Sequence, residues 1–139
     1  MATLIVDTGI NLVGVFSVEE NSYVPYRDDG IQTAIRLIQV ADEVVTFNGN
    51  NYDLEKLGAF AGLVGDLPLN GVHSDMRSIC WSDRIWGSDL PGTYYRHYTE
   101  CPAFPDTHEG STERDCYMTF KLWELWKQGT LKVIDGYSK

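Results

Sequence analysis

Basic residues are scarce. Eleven lysines and arginines face twenty aspartates and glutamates in 139 residues, a formal net charge of −9. That shortage excludes a broad cationic face of the kind that holds duplex DNA by charge alone. It leaves open a site that meets phosphates through bound cations, because such a site must itself be acidic. Cysteine is sparse as well: Cys80, Cys101 and Cys116 are an odd number with no CxxC spacing. A disulfide framework and a structural zinc are both poor readings of that pattern, and reduced thiols are expected. No apolar run approaches the roughly 20 residues that cross a bilayer, so no membrane partner is expected. The opening stretch, MATLIVDTG, has no basic leader and meets an aspartate at once. A secretory signal is therefore not expected, and a cytoplasmic location is. Internal repeats and low-complexity segments are absent too.

What is present is an ordinary globular balance, 43% hydrophobic and 22% charged, which argues against disorder. The length suits a single domain over residues 1–139, large enough to fold on one core. Thr3 to Val6 is a short β-branched run ending at Asp7 and reads as a buried strand, with Thr8-Gly9 as the break. Leu12 to Val18 and Ser22 to Tyr26 read as two more strands, and connections this short demand an antiparallel meander. Asp28-Asp29-Gly30 opens a helix in which Ile31, Ala34, Ile35 and Ile38 form one apolar stripe. Val44 to Phe47 is a further buried strand, and Asn48 to Asn51 is loop chemistry. A second helix begins near Tyr52, carries Leu54, Leu57 and Ala61 inward, and ends by Gly62. That alternation implies parallel pairing after the meander, in an α/β architecture.

Residues 63 to 110 are harder to read. Val72 to Trp81 suits a strand or a helix, and Gly87 to Gly110 reads as a long ordered loop of the kind that is often functional. Its tyrosines, Tyr94, Tyr95 and Tyr98, suit either stacking on bases or packing the loop onto the body. The last helix is expected from a Ser111-Thr112 cap, with Asp115 completing a capping box. Its apolar face comprises Tyr117, Phe120, Leu122 or Trp123, and Trp126, and it ends at Gly129. Leu131 to Ile134 is a candidate edge strand.

Three aspartates fall where such a topology can gather them: Asp7 ending the first strand, Asp53 opening the second helix and Asp115 near the start of the last. Carboxylates crowded together repel one another unless a divalent cation neutralises them, and hard oxygen ligands suit magnesium or manganese. His73 and His97 lack partners at metal-ligand spacing.

The order of elements and these residues resemble the DnaQ-like 3′-to-5′ exonucleases of the ribonuclease H-like fold, especially the exonuclease domains of phage-type family A DNA polymerases. The most specific match is Val44 to Leu54, in which an apolar strand leads to Asn48, three residues, Tyr52 and Asp53. Glu113-Arg114-Asp115-Cys116, with Thr119 and Leu122, is similar to the third motif. Leu4 to Asp7 is similar to the first. The resemblance implies a mixed sheet with helices on both faces and a two-metal site that hydrolyses phosphodiesters at single-stranded 3′ ends. Asp7, Asp53 and Asp115 would ligate magnesium or manganese, and Asn48 and Tyr52 would shape the substrate groove. Two departures stand out. The first motif's glutamate is replaced by Gly9, and the third motif's tyrosine or histidine positions hold Ser111 and Gly110. His108 lies nearby and is a candidate base. The lost glutamate is expected to lower metal affinity and turnover, and Gly9→Glu to raise activity.

Two competing readings remain at this point. A pseudo-nuclease would keep the fold as a binding module, for which the acidic composition favours a protein partner. Asp7-Thr8-Gly9 also spells the triplet of retroviral-type aspartic proteases. Those need two such aspartates, have Ala or Ser where Ile10 stands here, and are all-β.

Overall fold

A computed structural model describes residues 1–81 and 89–133. Its five strands are β1 (Thr3–Gly9), β2 (Leu12–Ser17), β3 (Ser22–Arg27), β4 (Glu43–Thr46) and β5 (Val72–Asp75). They form one mixed sheet in the order β3-β2-β1-β4-β5. The first three make the expected antiparallel meander, and β4 and then β5 join β1 in parallel. Each parallel addition needs a crossover. The first runs through α1 (Gly30–Val40) and the second through α2 (Asp53–Phe60).

Side-chain alternation along β1 divides the core into two layers. Leu4 and Val6 pack with Val13, Val15, Ile31, Ala34, Ile35, Ile38, Leu54 and Leu57, under α1 and α2. Ile5 points the other way and packs with Val45, Met76, Cys80, Tyr94, Cys116, Met118 and Leu122. That second layer lies under α3 (Met76–Cys80), α4 (Leu90–Tyr94) and α5 (His108–Lys127). Burying each large apolar side chain contributes about 1.5–3 kcal/mol, so helices on both faces are what the two-sided strands require.

Several local expectations are corrected. β1 does not break at Thr8-Gly9 but runs through them, because Ile10 and Asn11 make a two-residue hairpin turn with Asn11 at φ +51°. Asp7 therefore sits inside a ladder, opposite Gly14. Residues 72 to 81 are both strand and helix: β5 leads directly into α3, whose N-cap Asp75 accepts from the Arg77 N–H. In α2, Leu54 and Leu57 are buried as expected, and Ala61, the C-cap, packs partly buried against the same core.

The start of α5 moves most. The cap is Thr107, which accepts from the Gly110 N–H at 3.0 Å; the Ser111-Thr112 cap and its Asp115 box do not form. Gly110, the expected end of the long loop, lies inside the helix instead, and glycine is required there, since a Cβ at that position would collide with the Pro105 carbonyl oxygen. The buried face of α5 is Thr112, Cys116, Thr119 and Leu122, with Met118. Tyr117, Phe120 and Trp123 flank it half-buried, and Trp126 is exposed.

Within the expected long loop, the described part from Asp89 holds α4, and residues 87 and 88 lie outside the described residues. Tyr94 is buried, stacks on Tyr98 and donates its hydroxyl to the Glu100 carbonyl. These rings pack the segment onto the body, whereas Tyr95 is exposed. Leu131 to Val133 is not a strand, and Ile134 lies outside the described residues. All three thiols are free; Cys80 and Cys116 are buried and Cys101 is half-buried. No described helix is long and apolar enough to cross a membrane.

Candidate metal centre at the end of β1

Asp7 and Gly9 project from β1 toward α5, and Leu4, Val6 and Thr8 project toward α1 and α2. The helix α5 crosses β1 closely enough for the buried Cys116 thiol to reach the carbonyls of Ile5 and Gly14, each at 3.7 Å. One residue earlier, Asp115 lies over Asp7 within hydrogen-bonding reach of its carboxyl. Arg114 grips Asp115 from the solvent side, with a guanidinium nitrogen 3.0 Å from Oδ1.

Asp53 arrives from the opposite side. It opens α2, is 2% exposed, and accepts from both the hydroxyl and the N–H of Thr8. The structure thus pairs Asp7 with Asp115 directly. Asp53 is close enough to raise the proton affinity of Asp7, with its own carboxylate turned onto Thr8. Among the described residues, no group of three or more His, Cys, Asp or Glu side chains is gathered closely enough to hold a metal ion.

The electrostatics follow from this crowding. Burial pushes Asp7 well above the ordinary carboxyl range, the negative charges of Asp115 and Asp53 push it further, and Arg114 only partly offsets them. Burial likewise raises Asp53 from an ordinary 3.8 to about 6, against the two hydrogen bonds from Thr8 that favour its ionised form. Both groups therefore hold protons more tightly folded than unfolded. Their contribution is fully present below the unfolded values and is lost as pH rises through the folded ones. For Asp53 the loss is about 3 kcal/mol between pH 3.8 and about 6, and Asp7 adds to it in the same direction. Thermal melts in chelator should show the wild type losing more stability between pH 5 and pH 8 than Asp53→Asn. An equal loss in the two proteins would show that Asp53 is not held protonated by the fold.

The donor chemistry fits a hard divalent cation. Asp7 and Asp115 place carboxylate oxygens side by side in a setting where uncompensated negative charge is costly.

The loop before Asp53 is fixed mainly by a residue that the sequence reading did not single out. Asp75 accepts from the N–H groups of Asn48 at 2.7 Å, Asn50 at 3.1 Å and Arg77 at 3.0 Å. An aspartate directly before a helix is a cap signal, and that was the clue available. Thr46 Oγ1 adds a bond from the Gly49 N–H and another to His73. Asn48 itself takes a left-handed backbone conformation, φ +71°, and its side-chain oxygen accepts from Asn51. Tyr52 is half exposed and carries Lys56 above its ring, with the ammonium also donating to its hydroxyl.

Each departure from the exonuclease pattern involves a glycine whose Cβ position is already filled, by backbone at Gly110 and by a side chain at Gly9. Gly110 is closed by Pro105. At Gly9, a Cβ would sit 2.5 Å from His108 Nε2 and 2.9 Å from its Cε1. The imidazole already occupies that place, held by a 2.8 Å hydrogen bond from the Ile10 N–H to Nε2. The gain expected of Gly9→Glu therefore requires His108 to move aside, and if the ring holds its place the single variant should lose activity rather than gain it. Gain of activity in that variant would show that the ring gives way freely. Compared with models of known families and with curated proteins, the sequence matches none.

Proposed function

We propose that this chain is a cytoplasmic, divalent-metal-dependent 3′-to-5′ exonuclease of ribonuclease H-like fold, acting on single-stranded nucleic-acid ends. The observation that carries the reading is the convergence of Asp7, from the central strand, and Asp115, from the last helix, with Asp53 in electrostatic range of Asp7. Strand order and helix placement agree with it.

Asp7 and Asp115 would hold magnesium or manganese, and Asp53 would join them by giving up Thr8. When bound, such ions supply an activated water and neutralise charge on the leaving oxygen. The chain's own residues orient the substrate. On this reading Asn48, through its loop, and Tyr52 beside Asp53 would shape the substrate groove, and Arg114, paired with Asp115, would offer a cation at the rim. A mixed sheet with helices on both faces is not the all-β frame of the retroviral-type proteases, so Asp7-Thr8-Gly9 is taken as part of the nuclease strand.

The direct test is incubation of the purified chain with a 5′-labelled single-stranded oligonucleotide and manganese, which should shorten it stepwise from the 3′ end. A second reading, the pseudo-nuclease, draws on one observation: Thr8 satisfies Asp53 and His108 fills the Gly9 notch, so both groups are already partnered within the chain. Oligonucleotide binding without cleavage, at every manganese and magnesium concentration tried, would favour that reading.

A further inference from the structure

The filling of the Gly9 notch assigns the two nitrogens of His108. Nε2 accepts from the Ile10 N–H at 2.8 Å, so it carries no proton, and a neutral ring then holds its proton on Nδ1. The lone pair that a base would use at Nε2 is committed to the main chain. What the ring has to offer is an Nδ1–H donor, on a residue that is exposed to solvent. Position 9 is two residues beyond Asp7 on the same face of β1, a separation of about 7 Å, which a phosphate group can bridge. Thr112, one turn along α5, backs the notch with its hydroxyl 3.4 Å from the same point.

We propose that His108 contacts the substrate as a hydrogen-bond donor, through Nδ1, to a phosphate oxygen of a nucleic-acid strand bound at Asp7 and Asp115. The helix thus fills with the Nε2 edge of the ring the place where the strand has no side chain, which leaves Nδ1–H as the free donor. The ligand class rests on the nuclease reading; the placement of the ring does not.

The test compares wild type, His108→Ala, Gly9→Ala and the double variant. Each is titrated with a fluorescein-labelled single-stranded oligonucleotide in calcium and assayed for cleavage in manganese, with melting temperatures confirming that all four fold. Both single variants should bind about tenfold more weakly, a loss of one hydrogen bond to a charged group, because alanine at position 9 expels the ring. The double variant should bind no better than either single one. If it regains wild-type binding, or if His108→Ala binds as wild type does, the proposal is overturned, since the ring then serves packing alone. Long-range ¹H–¹⁵N spectra of the metal-free protein should show His108 protonated on Nδ1; protonation on Nε2 also overturns it. A wild type that binds without cutting, while His108→Ala loses binding, would remove the exonuclease reading and keep the donor. A wild type that does not bind the oligonucleotide would remove both.

Discussion

On the proposed reading, Asp7→Asn should abolish manganese-dependent shortening of an oligonucleotide, a loss of about a thousandfold or more, and at the same time should stabilise the metal-free protein at alkaline pH. Both effects come from one carboxyl. Asp7 is raised well above the ordinary range by burial and by Asp115, so ionising it in the absence of a cation costs folding free energy. Asparagine is uncharged at every pH and can still donate to Asp115. The variant should therefore melt higher than wild type at pH 8. At pH 4 the difference should shrink, because wild-type Asp7 then keeps its proton. Manganese should reverse the order by stabilising wild type and not the variant. A variant that is inactive yet less stable than wild type at pH 8 would mean that Asp7 is a structural anchor and not a ligand held at a cost.

The largest loss of stability is expected far from this site, at Glu43→Ala. Glu43 opens β4 opposite Thr3, at the end of the sheet away from Gly9. It is 5% exposed, and its carboxylate accepts from Ser74 Oγ at 2.8 Å and Trp123 Nε1 at 3.2 Å while pairing with Lys127 at 3.5 Å. One side chain thus ties β4, β5 and the C-terminal half of α5 together. Removing it leaves an indole N–H and a hydroxyl without their acceptor and one ammonium without its counter-charge, a cost of about 3 kcal/mol. Glu43→Gln keeps an oxygen for the two neutral donors and should cost about 1 kcal/mol. Urea titration of the two variants separates these values. Cleavage per folded molecule should match wild type in both.

These two residues also show what can be read from a sequence of this kind. Asp7 is visible because it ends a β-branched run, and Asp53 because it follows an apolar strand and an asparagine-rich turn. Each signal is local. Glu43 is invisible because nothing near it in sequence predicts Ser74 or Trp123, and a charged residue before Val44-Val45 reads as a strand flank. Asp75 is half hidden: its cap bond from Arg77 is local, but its donors at Asn48 and Asn50 lie 27 and 25 residues away. The start of α5 is hidden for a different reason. Gly110 discourages a helix by propensity, and only the tertiary approach of Pro105 makes glycine the residue that fits. The order from β1 to α2, and the presence of α5, were legible because period-2 and period-3.6 patterns are short-ranged; β5, α3 and α4 are too short to show one, and the partners of buried polar groups are set by contacts across the sheet.

One outer strand has a bearing on how copies of this protein behave in concentrated solution. β3 forms a margin of the sheet, and Pro25 stands in its middle, opposite Gly14. Proline has no N–H to offer an incoming strand and is tolerated mainly at such margins. Its ring interrupts the run of donors that would otherwise template intermolecular β-stacking beside the exposed Val24. A residue with no part in the chemistry thereby works as a guard against fibre-like self-association.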